Sequence, residues 1–254
     1  MTGPPRADDA TVSLSVLGVI PARLASTRLP RKVLREIAGR PMIAHVYERA
    51  RHTRHLDDLL VATDSDEVRD VCQHLGIPVV MTSSAHRSGS DRVWEVAQGR
   101  RADVYVNIQG DEPLITPGHV ERLVQPFRDE PETQVTTLMI QATAAELPSP
   151  TVNKVVCGVR GQALYFSKHP IPFDRDGIGV IRYKHIGLYA YRAGALDAFH
   201  RLPPTPLEVT EGLEQLRFLE HGIPIRVVET DEPTIGVDTE DDLRAVEARL
   251  ARSA

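Results

Sequence analysis

The chain has 254 residues, 41% hydrophobic, 26% charged and 5% aromatic, with 30 basic against 35 acidic side chains and a formal net charge of -5. That apolar content at modest charge excludes a disordered or collagen-like chain, and the length suits one large α/β domain or two small ones. The acidic balance excludes a globally basic nucleic-acid surface, so a polyanion could be held only by local clusters. Cys72 and Cys157 lack the spacing of a disulfide framework or a zinc site and are expected to be small buried apolar residues. No apolar run reaches membrane-spanning length, and residues 1–15 lack the apolar stretch of a signal peptide. A cytoplasmic protein with neither membrane nor nucleic acid as partner is expected.

Residues 1–14 read as a disordered leader. Val16–Ile20, Leu59–Thr63, Val79–Met81 and Val104–Ile108 are short apolar runs of the kind that form buried parallel strands. Between them lie helical patterns: Ile43, Val46, Tyr47 and Ala50 on one face, then Val68, Val71, Cys72 and Leu75, then a helix near Val93–Ala97. Strands alternating with helices predict right-handed crossovers and a mixed, mainly parallel sheet with flanking helices. The second half changes rhythm. Val135–Ile140, Lys154–Val159, Ala163–Phe166 and Tyr183–Tyr191 read as strands of an inserted antiparallel segment. Leu207–Gly222 reads as one helix, Ile225–Val228 as a strand, and Thr239–Leu250 as a closing helix capped by Thr239 with Asp242 at the reciprocal position. The expected organisation is one domain over 15–254: a nucleotide-binding part to about 130, an acceptor-binding and dimer part to about 230, and a closing strand and helix over about 231–252.

The loop Pro21-Ala22-Arg23-Leu24-Ala25-Ser26-Thr27-Arg28-Leu29-Pro30-Arg31-Lys32 gathers four cations in ten residues of an acidic chain. It leaves the carboxyl end of a strand, where open α/β sheets bind ligands. Arginine forks match phosphate oxygens, lysine adds a mobile point charge, and Ser26 with the loop amides could complete an anion nest. The spacing is neither that of a P-loop nor that of a dinucleotide fingerprint. Two carboxylates face this loop in the expected topology. Asp111 follows the fourth strand in Asn107-Ile108-Gln109-Gly110-Asp111-Glu112-Pro113, where Gly110 would admit a ligand close to the backbone. Asp238 follows what reads as another strand end in Ile235-Gly236-Val237-Asp238-Thr239. Magnesium is commonly held by one or two carboxylates together with substrate phosphates, which this layout would supply.

These segments, with Ala62-Thr63-Asp64, His86…Ser88-Gly89…Asp91-Arg92, Lys184-His185-Ile186-Gly187-Leu188-Tyr189 and Leu213-Glu214-Gln215-Leu216-Arg217, resemble the CMP-Kdo synthetase (3-deoxy-manno-octulosonate cytidylyltransferase) family from about Val16 to the end. The resemblance implies a nucleotide-diphospho-sugar transferase-like fold, a homodimer, Mg2+, and transfer of CMP from CTP to an acidic acceptor with release of pyrophosphate. Carried over to this chain, Ala22, Arg23, Ser26, Arg28 and Lys32 would hold the triphosphate, and Ser88, Gly89 and Gln109 would border the cytidine. Asp111 and Asp238 would bind the metal and, with Lys32, serve catalysis. Lys168, His185, Tyr189, Glu214 and Gln215 would line the acceptor pocket.

The chain departs from the family pattern on the acceptor side. Lys168 stands where the family usually has arginine after Leu-Tyr-Phe-Ser, and lysine lacks the fork that clamps a carboxylate. Ser90 replaces the familiar threonine. Kdo is the default acceptor, with a small phosphonate of the phosphonoformate type as the alternative. A non-catalytic nucleotide-binding homologue would be expected to lose Lys32, Asp111 or Asp238, and all three are present.

Overall fold

The computed structural model describes residues 14–26, 28–86 and 88–252, so all of the predicted leader except Leu14 lies outside the described residues. In the first half, β1 (Val16–Ala22), β4 (Asp58–Thr63), β5 (Val79–Met81) and β6 (Val104–Asn107) alternate with α1 (Met42–Ala50), α2 (Asp66–His74) and α3 (Gly89–Gly99). A single 3-10 turn, Lys32–Leu34, and the short pair β2 (Glu36–Ile37) and β3 (Arg40–Pro41) intervene after β1. Then follow α4 (Pro117–Asp129), β7 (Val135–Gln141), β8 (Lys154–Cys157), β9 (Ala163–Ser167), β10 (Tyr183–Arg192), α5 (Ala193–Arg201), α6 (Pro206–Glu211), α7 (Leu216–Glu220), β11 (Ile225–Glu229) and α8 (Glu240–Ala251).

The main sheet runs β11-β7-β10-β6-β1-β4-β5. Its strands share one direction except β10, which is antiparallel to both β6 and β7. The expected mixed, mainly parallel architecture is therefore present. β1 is buried along its whole length between β4 and β6, as a central strand with helices on both faces must be. Ile20, Val61 and Val106 pack under α1, α2 and α4. Val19, Leu60 and Tyr105 face the other way, toward Val93 of α3, Leu196 and Phe199 of α5 and Phe218 of α7. Burial of such side chains contributes roughly 1.5–3 kcal/mol each relative to exposure, which is what holds the three layers together. Register pairs Ala22 with Thr63 and Val19 with Asn107, so the loops after β1, β4 and β6 leave from one edge.

β10 outruns β6. Its first residues, Tyr183 and Lys184, pair instead with β8, and β9 extends the sheet from there. This is the inserted antiparallel segment. Between Ile186 and Tyr189 the β7–β10 register gains two residues, Gly187 and Leu188, on the β10 side. An even insertion preserves alternation, so His185 and Tyr189 keep one face, their rings 5.4 Å apart.

Two expectations are corrected. The helix predicted over Leu207–Gly222 is two short helices, because Gly212 takes a left-handed φ of 64° and ends α6. Leucine spacing alone does not register that break. The strand predicted over Ile235–Val237 is absent. Pro233 has no amide hydrogen to donate, and the segment docks through single bonds: Val237 N–H to the Asp111 carbonyl at 2.9 Å and Thr234 Oγ1 to Glu112 Oε2 at 2.6 Å. The closing helix is capped as predicted, Thr239 and Asp242 bonding reciprocally. Helices α4 and α5 escaped the sequence reading, although Thr116, Pro117 and His119 form a complete start signal for α4. Cys72 is buried and Cys157 half-buried, and both are free thiols.

Candidate active site

Two adjoining cavities open along the carboxyl edge of the sheet. The smaller, about 390 Å³, is lined by Arg23, Ser26, Arg28, Lys32, Ser88, Gly89, Gln109, Asp111 and Asp238 among others. The larger, about 650 Å³, includes His185, Tyr189, Glu214 and Gln215. Arg28, Gln109, Asp111 and Asp238 belong to both. Arg23, Ser26, Lys32, Ser88 and Gly89 thus line one lobe and His185, Tyr189, Glu214 and Gln215 the other, and the two meet at Arg28, Gln109 and the two aspartates.

Lys32 Nζ donates to Asp111 Oδ2 and, at 3.0 Å, to Asp238 Oδ1. Arg28 adds an ion pair to the other Asp238 oxygen at 3.0 Å. Sharing one ammonium brings carboxylates 127 positions apart in sequence to within reach of a common cation. Burial opposes it, but the Asp111 charge, with hydrogen bonds to both aspartates, holds the Lys32 ammonium above its ordinary pKa. Among the described residues no cluster of three or more His, Cys, Asp or Glu could cage a metal. Two carboxylates beside a cationic loop would nevertheless suit Mg2+, which usually takes its remaining ligands from phosphate and water.

Loops are pinned around this centre by specific packing. A Cβ on Gly110 would stand 2.9 Å from the Pro21 carbonyl, so glycine is needed for the loop to pack against β1, and the residue also lines the smaller cavity. Ser88 caps α3 in a reciprocal box with Asp91, which directs the helix N-terminus along the smaller cavity. The break at Gly212 turns Glu214 and Gln215 inward at the floor of the larger one.

Several buried polar atoms around the cleft have no partner among the described residues: Arg23 Nη2, Asn107 Nδ2, His185 Nδ1, Glu214 Oε2 and Gln215 Nε2. Native interiors leave few polar groups unsatisfied, so orphans collected around one cleft point to a ligand that completes them. Burial pushes the Glu214 carboxyl above its usual range. It holds His185 down to about 3, so the imidazole is neutral at ordinary pH. Its Nε2 is engaged by Thr137 Oγ1 at 2.9 Å, leaving Nδ1 for the ligand.

A stability prediction follows from His185. The unfolded chain binds a proton near pH 6.5, whereas the folded state refuses it until about pH 3. Stability contributed by the neutral ring is therefore present above pH 6.5 and drains away as pH falls toward 3. His185→Gln should flatten this acid limb, read as Tm against pH between 7 and 4; an unchanged slope would show that the ring is not held neutral.

Two assigned residues do not line the cavities. The Ala22 side chain is buried in the core at the end of β1, leaving only its backbone for a ligand. Lys168 stands beside the rim: its amide donates to Glu211 Oε2 at 3.0 Å, and its ammonium lies near Gly212. Sequence reading missed others. Lys184, ion-paired with Glu146, lines the larger cavity, as does Glu112, whose carboxyl burial pushes up to about 7. Fully buried Lys154 donates to the carbonyls of Ser149, Val152 and Lys168 at 2.6–2.8 Å, fixing the wall that carries Thr151–Asn153. Lysine is scarce in this chain, which was a signal for both lysines, and Lys184 also lies in the family-like segment Lys184–Tyr189.

Comparison with known proteins agrees with this layout. A cytidylyltransferase family model matches residues 17–228. A protein of Acidobacterium capsulatum named 3-deoxy-manno-octulosonate cytidylyltransferase is 56% identical over 94% of this chain and 97% of its own length. One of the same name from Koribacter versatilis is 53% identical over 97% of this chain and 93% of its own. Among solved structures, a CMP:2-keto-3-deoxy-manno-octonic acid synthetase complexed with CTP superposes with TM-score 0.91 at 44% identity, covering 94% of this chain and all of that one. A putative glucose-1-phosphate thymidylyltransferase from Bacillus anthracis (TM-score 0.67, 17% identity, 94% of this chain and 96% of that one) shares the fold alone. By sequence along nearly its whole length and by the shape of its backbone, the chain belongs to the 3-deoxy-manno-octulosonate cytidylyltransferase family of nucleotide-transferring enzymes.

Proposed function

We propose that the enzyme transfers CMP from CTP to 3-deoxy-manno-octulosonate, releasing pyrophosphate and CMP-Kdo. The observation that carries the reading is the pair of lobes joined at Asp111 and Asp238. One lobe holds cations and a helix N-terminus for a nucleotide, and the other holds unsatisfied hydrogen-bonding groups for a hydroxylated acid. The nature of the acceptor is supported by the names of the relatives.

Reaction requires the acceptor hydroxyl oxygen to bond to the α-phosphorus while the bond from that phosphorus to the bridging oxygen breaks. The hydroxyl proton passes to solvent water, and pyrophosphate departs with the bridging electrons. Such transfers depend on alignment and charge neutralisation more than on a covalent nucleophile. Arg23, Arg28 and Lys32 neutralise the triphosphate, Ser88, Gly89 and Gln109 border the cytidine, and His185, Tyr189, Glu214 and Gln215 orient the acceptor's hydroxyls. Asp111 and Asp238 would hold Mg2+, which supplies further charge stabilisation on the departing pyrophosphate. Dependence on CTP suits a cytoplasmic enzyme.

The reading is tested by pyrophosphate release from CTP with Kdo and, in parallel, with phosphonates of the phosphonoformate type. Turnover is expected with Kdo at ordinary enzyme rates. Turnover confined to a phosphonate would replace the acceptor, and none with any acid would refute the activity.

A homodimer is part of the same proposal. Between β9 and β10, Phe173, Ile178 and Ile181 are 86%, 77% and 59% exposed, an apolar concentration that a lone chain would not gain by showing to water. If a second copy covers this segment, Phe173→Asp should shift the species seen by sedimentation from dimer toward monomer. Equal masses for both proteins would remove the segment from the interface.

A further inference from the structure

Arg92 is a fully buried guanidinium in the first turn of α3, outside both cavities. Its Nη2 donates to Asp64 Oδ2 at 3.1 Å and its Nη1 to Thr82 Oγ1. Asp64 and Thr82 stand one residue beyond the ends of β4 and β5. Thr82 is itself fixed, its hydroxyl and its amide donating to the Thr63 carbonyl at 3.1 and 2.8 Å. One side chain thus ties the start of α3 to two adjacent strand ends.

Arg23 lies nearby in the nucleotide lobe and has the opposite character. It makes no hydrogen bond or ion pair with the described residues, and its Nη2 is buried without a partner. Ala22 and Thr63 are register partners, so Arg23 and Asp64 leave neighbouring strand ends side by side. Burial and the neighbouring Arg92 charge lower the Arg23 pKa, while the Asp64, Asp91 and Glu214 carboxylates oppose them without contact. Asp64 is thus the carboxylate that lies beside both guanidiniums. Arg92 holds it, and Arg23 is left with free donors. A guanidinium already forked onto a carboxylate has fewer donors for phosphate, so the outcome of this competition matters for nucleotide affinity.

We propose that Arg92 is a positioning residue for the nucleotide: by keeping Asp64 on itself it prevents that carboxylate from capturing Arg23, whose fork stays available for the triphosphate. The role rests on the assignment of CTP to the smaller lobe, and it is distinct from helix anchoring because it acts through Asp64.

The test is a double-mutant cycle read as the CTP dissociation constant by calorimetry, with Tm recorded for every protein. Arg92→Gln stays polar but is shorter, uncharged and has two donors in place of five, so it cannot hold the carboxylate, and it should weaken CTP binding about 10-fold. Adding Asp64→Asn removes the competitor and should return affinity to within about 3-fold of wild type, a non-additivity that lost packing would not produce. Asp64→Asn alone should bind CTP at least as tightly as wild type, and this arm stands even if Arg92→Gln fails to fold. The proposal is overturned if the double variant stays as weak as Arg92→Gln, if Asp64→Asn itself weakens binding, or if Arg92→Gln lowers Tm without changing the constant. Failure of wild type to bind CTP would instead refute the assignment of the lobe.

Discussion

Asp111→Asn should fold normally and lose most of its turnover. The side chain is partly exposed and its strongest contact is with Lys32, which retains Asp238 at 3.0 Å when Asp111 is neutralised. Partly exposed ion pairs contribute about 1 kcal/mol or less, so the loss of stability should be of that order. The chemical step is far more sensitive. Charge builds on the departing pyrophosphate where the aspartates would seat a metal, and removal of one preorganised electrostatic element typically costs about 100- to 1000-fold in rate. Pyrophosphate release at saturating CTP and acceptor, with Tm alongside, checks both halves. Turnover like that of wild type would remove Asp111 from the metal site. Asp238→Asn should fall in the same direction with a larger stability loss, because Asp238 also pairs with Arg28.

The second large effect concerns Lys32. Its ammonium holds together two carboxylates that would otherwise repel each other. Lys32→Met leaves Asp111 without its cation and Asp238 with Arg28 alone, for an expected loss of about 1–2 kcal/mol in stability. It also deletes the proposed contact to the triphosphate, so turnover should fall on the order of 100-fold or more. The informative readout is thermal. If the same two aspartates seat the metal, millimolar Mg2+ should raise the Tm of Lys32→Met more than that of wild type, since the ion can take the ammonium's place. Equal responses in the two proteins would show that the ammonium and the ion do not share a seat.

These two experiments bear on residues that periodicity alone could not join. Buried strands β1, β4 and β6 were legible because their continuous apolar runs admit little else, although β1 passes through Pro21 to Ala22, and the cationic loop and Asp111 followed directly from where those strands end. The helix start at Thr239 was legible because a capping box is a local exchange of hydrogen bonds within four residues. Lys154 and Arg92 were not legible as structural hubs, because a charged residue in sequence reads as surface until its partners are known. Their partners are carbonyls and carboxyls from separate loops.

By itself, the amino-acid sequence determined the alternating strands and helices, the cations after the first strand and the family pattern of the site residues, because each is written in neighbouring side chains. The tertiary structure alone decided that Asp111 and Asp238 share one ammonium, that the bend at Gly212 turns Glu214 and Gln215 into the cleft, and that Asp64 belongs to Arg92 and not to Arg23. The physical reason is the same in each case. Electrostatic and hydrogen-bonding partners are chosen by distance in space, and a left-handed glycine or a docked coil redirects the chain without altering the hydrophobic period from which elements are read.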